Sequence, residues 1–140
     1  MNDRYLYKGK IKGNLTGHEE LDWAIGNLIV EQSTGRHFII DLSHFDENTK
    51  LCDVVIEVDP STICQCTGLK DKNGKMIWEN DIVKVHDDEE PCLIEWGEDT
   101  ARWHMTQYGS YIYDFDNYWS YEVEVIGSAI DNPELLEVGE

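Results

Sequence analysis

The four cysteines are the first side chains to consider, because thiolates can bind metals or act as nucleophiles. Cys64 and Cys66 are separated by one residue, whereas Cys52 and Cys92 each stand alone. Structural zinc sites separate their paired ligands by about two to four residues, and the spacing of the five histidines nominates no partner for a catalytic thiol. We therefore interpret the cysteines as small core residues, and whether they cluster in space stays open. The sequence predicts no metal site and no cofactor.

Motifs typical of enzymes are missing from the sequence. It has no Walker loop and no dinucleotide-binding glycine motif, and His18 lacks the second histidine of a zinc protease motif. Residues 114–117, Asp-Phe-Asp-Asn, begin like a calcium loop, but Tyr118 and Trp119 follow where that loop needs an oxygen ligand and a glycine. Paired acids are expected by chance among 29 carboxylates, so a glycosidase is not favoured. We predict no catalytic residues and no enzymatic activity.

The charge of the chain is strongly negative and unevenly distributed. The chain of 140 residues has 29 acidic and 11 basic side chains, which gives a net charge of −18. Residues 1–85 contribute −4, whereas residues 86–140 contribute −14 and contain a single basic residue, Arg102. Such a surface repels phosphate backbones and anionic lipids and favours cationic partners. We therefore expect a protein partner with a basic surface, or self-association, and no membrane partner; nucleic acid is disfavoured without being excluded.

Aromatic residues are concentrated in the same acidic half. Nine of them lie between Trp96 and Tyr121. The simplest interpretation is a packed core with some rings at the surface, and the functional alternative is a patch that binds protein, for which Trp and Tyr are well suited. The residues that we select for such a patch are Trp96, Trp103, Tyr111, Tyr113, Trp119, Asp114 and Asp116.

The elements that position these residues are short strands, because apolar residues alternate with polar ones. Residues 23–31 and 36–41 read as a hairpin turned at Gly35, and residues 53–59 read as a third strand before a helical turn capped by Asp59. In the second half we predict strands at 81–85, 92–96, 101–105, 111–113 and 121–126, and a short helical turn at 132–136. The predicted fold is mainly β and antiparallel, with short helical turns only.

Residues 67–85, TGLKDKNGKMIWENDIVKV, resemble the hallmark segment of the YopX family of phage and prophage proteins. The similarity continues in residues 121–127 and 132–136, although Asn80 stands where a glycine is expected. The resemblance implies an SH3-like small barrel over residues 67–140, with residues 1–66 as a strand region packed on it. It also implies expression in a bacterial host cytoplasm, consistent with the absence of a signal peptide or membrane span in the sequence. It brings no catalytic motif.

The sequence therefore leads to two functional hypotheses. The first is a non-enzymatic phage accessory protein that binds another protein through its acidic, aromatic half, with mimicry of nucleic acid as a narrower version. The alternative is a nucleic-acid-binding SH3-like module. Its basic residues would be Lys8, Lys10, Lys12, Lys70, Lys72 and Lys75.

Overall fold

The structure is a computed structural model, and it describes residues 5–12, 23–43, 46–85, 90–116 and 120–136. The fold is mainly β with antiparallel pairing throughout the described residues, as predicted. The chain divides into two compact units, of which the first is Tyr5–Gln65 and the second contains Cys66 and the residues after it. That the first region packs on the second stays a prediction. No helix among the described residues is long and apolar enough to cross a membrane.

The first unit is built on one antiparallel sheet in the order β4-β3-β2-β1-β5. Its elements are β1 (Tyr7–Lys10), β2 (Trp23–Val30), β3 (His37–Ile40), the helix α1 (Leu51–Val54), β4 (Val55–Val58) and the start of β5 (Cys64–Lys70). The inner face of the sheet forms a small core around Ala24, Ile39 and Val58, which are fully buried.

The hairpin of the first unit is confirmed. Gly35 joins β2 and β3 with a φ of 76°, a conformation that favours glycine. The turn after β4 is also confirmed, because Asp59 accepts the N–H of Ser61 at 3.0 Å and caps the 3-10 turn Pro60–Thr62.

The predicted third strand begins too early. Asp53 belongs to α1 instead, where its carboxylate accepts the backbone N–H of Lys50 at 3.0 Å and stabilises the first turn. Strand β1 was not predicted, because its sequence Tyr-Lys-Gly-Lys has too few apolar residues to give a strand signal.

The second unit contains a five-stranded sheet in the order β10-β9-β8-β7-β11. Its strands are β7 (Asp81–Lys84), β8 (Cys92–Gly97), β9 (Arg102–Gln107), β10 (Ser110–Asp114) and β11 (Glu124–Ser128). The later residues of β5 pair with β6 (Met76–Trp78), which lies outside this five-stranded sheet. Strands β10 and β11 do not pair within the described residues, so the sheet is not a closed barrel there and the SH3-like barrel is not confirmed.

The core of the second unit lies on one face of this sheet. Its buried residues include Ile77, Val83, Ile94, Met105 and Phe115. Asn80 occupies the position where a glycine was expected and has a φ of 71°, which asparagine tolerates better than most residues.

The last strand starts later than the alternation of residues 121–126 predicts. It begins at Glu124, and Tyr121 is 65% exposed instead of sharing a face with the buried Val123. The reason is that the backbone before Glu124 bonds to the turn at residues 71–75 instead of to a neighbouring strand. The N–H of Lys72 donates to Val123 O at 3.0 Å. The short 3-10 turn Pro133–Leu136 is found where the sequence predicts it.

Candidate functional site

The residues selected from the sequence lie on both faces of the β8–β9–β10 sheet. Trp96 is paired with Trp103, and Tyr113 with the buried Met105, so their side chains share the core face. Tyr111 is paired with Thr106 and Asp114 with His104, so Tyr111 and Asp114 lie on the outer face. Strict alternation would have placed the two tyrosines on one face. The register shift between Tyr111 and Tyr113 separates them.

The two tryptophans form an edge-to-face pair at one end of the sheet. Their ring centroids are 5.0 Å apart, and their planes are inclined by 71°. Trp103 is half-buried and packs on the core cluster, whereas Trp96 is 39% exposed. Trp103 therefore serves mainly as core, and Trp96 contributes surface.

Asp114 is held on the outer face by two donors. Arg102 Nη1 lies 2.7 Å from Asp114 Oδ2, and the Tyr111 hydroxyl donates to Oδ1 at 2.9 Å. The hydrogen bond from Arg102, followed by that from Tyr111, keeps the pKa of Asp114 below its usual value. The hydrogen bond that Tyr111 donates to the Asp114 carboxylate raises the pKa of the Tyr111 phenol. The only cation of residues 86–140 is therefore already engaged by a carboxylate of its own sheet.

His104 lies beside this pair. Its Nε2 is 2.9 Å from Thr100 Oγ1 and 3.8 Å from Asp114 Oδ1, and its ring packs edge-on against Tyr111 at 4.9 Å. Gly97 makes room for the ring, because a Cβ at Gly97 would collide with His104 and with the Thr100 hydroxyl.

Five side chains, His104 among them, line an open depression of about 500 Å³. They are Thr100, Arg102, His104, Tyr111 and Asp114.

Thr100, His104 and Asp114 have the residue types of a nucleophile relay but not its geometry. In such a relay the carboxylate binds one imidazole nitrogen and the hydroxyl binds the other. Here Thr100 Oγ1 and Asp114 Oδ1 both approach Nε2.

Exposed acidic residues surround the same end of the sheet. Glu98 and Asp99 lie in the turn between β8 and β9, and Asp116 follows β10. These positions are close because Gly97 pairs with Arg102 and the N–H of Phe115 donates to Trp103 O at 2.8 Å. We call this surface the acidic aromatic end and define it by Trp96, Glu98, Asp99, Tyr111, Tyr113 and Asp116. Trp119, the remaining residue selected from the sequence, lies outside the described residues.

Sequence reasoning missed three contributors to this site, namely Arg102, His104 and Thr100. A signal for Arg102 was present, since a lone cation among 15 acidic residues must have acidic neighbours. No comparable signal marks His104 or Thr100, because the strand register and the small residue at Gly97 bring them together.

The six lysines of the alternative hypothesis belong to two different environments. The Nζ atoms of Lys8 and Lys10 lie 4.5 and 5.0 Å from the centre of the Trp23 ring. Lys12 Nζ lies 3.5 Å from Glu57 Oε2. These three lysines therefore have partners within the first unit.

Lys70, Lys72 and Lys75 are exposed and form no ion pair within the described part of the chain. They surround Asp71, whose side chain is buried.

The Asp71 carboxylate accepts three backbone N–H groups. Those of Asn73 and Lys75 donate to Oδ1 at 2.8 and 2.9 Å, and that of Val125 donates to Oδ2 at 2.9 Å. Burial raises the pKa of Asp71, but the three hydrogen bonds outweigh it, so the pKa lies below its usual value. Asp71 thus connects residues 67–85 to β11 by a hydrogen bond. The side chains of Lys70, Lys72 and Lys75 remain exposed around it.

A second cavity, of about 620 Å³, lies in the first unit and is lined by Trp23 and three aspartates among other residues. Two of the aspartates hold their own loops, because Asp41 accepts the N–H of Ser43 at 2.9 Å and Asp46 accepts that of Asn48 at 2.8 Å. No group of three or more His, Cys, Asp or Glu side chains arranged for a metal occurs among the described residues. All four cysteines lie within the described residues and form no disulfide, with Cys52 exposed and the other three buried.

The fold and the site define a mainly β protein whose second unit presents an acidic and aromatic sheet end beside the ion pair of Arg102 and Asp114. Comparison with protein families then assigns the chain. The family model described as YopX protein matches residues 16–137, so the chain belongs to the YopX family. No curated protein matches the chain in a sequence search.

Proposed function

We propose that this YopX protein is a non-enzymatic accessory protein of phage or prophage origin that binds a cationic protein surface through the acidic aromatic end. It would act in the cytoplasm of a bacterial host. The observation that carries the proposal is the pairing of Arg102 with Asp114. Because the one basic residue of residues 86–140 is engaged in this way, Glu98, Asp99 and Asp116 face an incoming partner with no other basic residue of that half to offset them.

The exposed rings add contact area to this charge. Tyr111 is 55% exposed and Tyr113 is 43% exposed, and they lie on the two faces of the edge strand β10. Tyrosine and tryptophan are enriched among residues that dominate binding energy, and arginine stacks on their rings. An arginine-rich segment is therefore the partner chemistry that suits this surface.

We also propose that the second unit is an SH3-like barrel. Its strand order, with the last strand β11 beside the first strand β7 and then β8, β9 and β10 in succession, supports this architecture. In this arrangement β10 is an edge strand.

Titration of the full chain with a short arginine-rich peptide tests the binding proposal. Calorimetry at low salt should give binding that weakens steeply as salt is added. The variant E98K/D99K should weaken binding about tenfold or more, because it reverses two charges at the site. The matched control E122K/E134K changes the net charge equally at exposed positions outside the site. Equal loss in both variants, or no binding by the natural chain, would contradict the proposal.

A nucleic-acid-binding function is the second candidate, favoured by one observation. Asp71 is turned inward, so the exposed part of residues 70–75 carries three lysines and no exposed acid. A mobility shift of single- and double-stranded oligonucleotides at low salt tests it, because nonspecific phosphate contacts are strongest there. A shift that K70E/K72E abolishes supports this candidate, and no shift for the natural chain rules it out.

A further inference from the structure

The outer face of the first unit's sheet is apolar and exposed. Ile25 and Ile29 of β2 point away from the core and are 42% and 43% exposed. Phe38 is paired with Ile29, and Ile40 with Asn27, so both extend the same face into β3. Contiguous exposed apolar surface on a sheet is typical of a docking site.

Basic side chains flank this surface. Lys8 is paired with Ile25, and Lys10 with Trp23, so both lysines share the outer face with β2. At the other end the guanidinium of Arg36 lies 5.1 Å from the centre of the Phe38 ring.

Glu57 is an acidic residue on this face, because it is paired with Phe38. It pairs with Arg36 at 2.8 Å and with Lys12 at 3.5 Å. The hydrogen bond from Arg36 keeps the pKa of Glu57 below its usual value, so Glu57 stays ionised near neutral pH. Among the described residues, four basic side chains therefore accompany Glu57 and Glu31 around the apolar stripe. We call it the lysine-flanked face and define it by Lys8, Lys10, Trp23, Ile25, Ile29, Phe38 and Ile40.

We propose that the lysine-flanked face of one molecule binds the acidic aromatic end of a second copy of this chain. This inference rests on the proposed function and names the partner of that same site. Its basis is complementarity, because the first surface is apolar and basic whereas the second is aromatic and acidic, and both are exposed within one chain.

The proposed contact is head-to-tail, because each molecule contributes a different surface. Pairing of the lysine-flanked face with itself would bring like charges together, which is unfavourable. A head-to-tail contact that does not close into a ring adds further molecules, so the assembly should grow with protein concentration. Added salt should dissociate it.

Sedimentation velocity of the full chain over a range of concentrations and salt tests the proposal. The natural chain should self-associate at low salt, and two variants should each remove the association. The variant I29E places a carboxylate on the lysine-flanked face, and E98K/D99K reverses charge at the acidic aromatic end. Each should raise the dissociation constant about tenfold or more.

The controls are matched to these variants. V30E changes the next residue of β2, which points to the other face and is 38% exposed. E122K/E134K reverses two exposed acids outside the acidic aromatic end. Both controls should associate like the natural chain, and circular dichroism should show that all four variants are folded.

Mixing I29E with E98K/D99K tests whether the contact is head-to-tail. I29E retains an intact acidic aromatic end, and E98K/D99K retains an intact lysine-flanked face, so the mixture should form a one-to-one dimer that grows no further. A mixture that stays monomeric overturns the head-to-tail contact, as does a natural chain that is monomeric at every concentration. Binding of the arginine-rich peptide by such a monomer would leave the proposed function standing, so the two failures are distinguishable.

Discussion

Arg102 and Asp114 are joined across β9 and β10 by a contact of 2.7 Å between Nη1 and Oδ2. The pair brings the only cation of the acidic half against the carboxylate that also accepts the Tyr111 hydroxyl. Beside the acidic aromatic end, the sheet therefore already holds one guanidinium on a carboxylate next to an aromatic ring, which is the contact that the proposed partner would make.

Replacing Arg102 with glutamine should raise the pKa of Asp114, because the donor that lowers it most is lost. NMR titration of the carboxyl carbon measures this pKa, and Tyr111→Phe should raise it by less. Both side chains of the pair are well exposed, so solvent screens the contact and the free energy of unfolding should change little. An unchanged pKa in Arg102→Gln would show that the pair does not form in solution.

Removing the Asp71 carboxylate should destabilise the second unit. Asp71→Ala leaves the N–H groups of Asn73, Lys75 and Val125 without their acceptor. Loss of charged hydrogen bonds at a buried site costs about 2–4 kcal/mol, because the donors are not all rehydrated. Urea unfolding measures the loss. Asp99→Ala is the control, because it also removes one aspartate but at an exposed position in a turn. This control should change the free energy of unfolding by about 0.5 kcal/mol or less.

Acidification should destabilise the protein, with Asp71 as one of its causes. The pKa of Asp71 is lower in the folded chain than in the unfolded chain, so the folded state favours the ionised form. This stabilisation is complete above the unfolded pKa of about 3.9 and is lost as the pH falls through the folded pKa. Thermal unfolding measured across this pH range should therefore show a shallower acid loss for Asp71→Ala than for the natural chain. Parallel curves for the two chains would contradict the role given to Asp71.

Placing a methyl group at Gly97 should disturb the depression around His104. The new Cβ would collide with the His104 ring and the Thr100 hydroxyl, and overpacking of this kind costs about 1–3 kcal/mol. A double-mutant cycle separates this contact from any backbone effect. Gly97→Ala should cost less stability in a His104→Ala background than in the natural chain. Equal costs in both backgrounds would mean that the ring does not lie over Gly97.

Local features of the fold could be predicted from sequence because their causes lie within a few residues. The turn at Gly35 and the cap at Asp59 depend on backbone conformation and on a side chain two residues from its partner. The alternation of apolar residues likewise predicts most strands, although it misses β1 and places Asp53 in a strand instead of α1. The hallmark segment was sufficient to recognise the YopX family.

The candidate site was only partly predictable, because strand register decides which side chains meet. The sequence pattern predicts Tyr111, Tyr113 and Asp114 as site residues. A register shift in β10 places the two tyrosines on opposite faces of the sheet. No local pattern pairs Asp114 with Arg102, which lies twelve residues earlier on the neighbouring strand.

The amino-acid sequence by itself determined the mainly β class, the family and the separation of a nearly balanced half from a strongly acidic one. The tertiary structure decided which charges remain at the surface. It turns Asp71 inward among the lysines of residues 70–75, and it engages Arg102 within the acidic sheet. The physical reason is that the effect of a charge depends on its burial and its partners, and antiparallel pairing supplies those partners from distant parts of the chain.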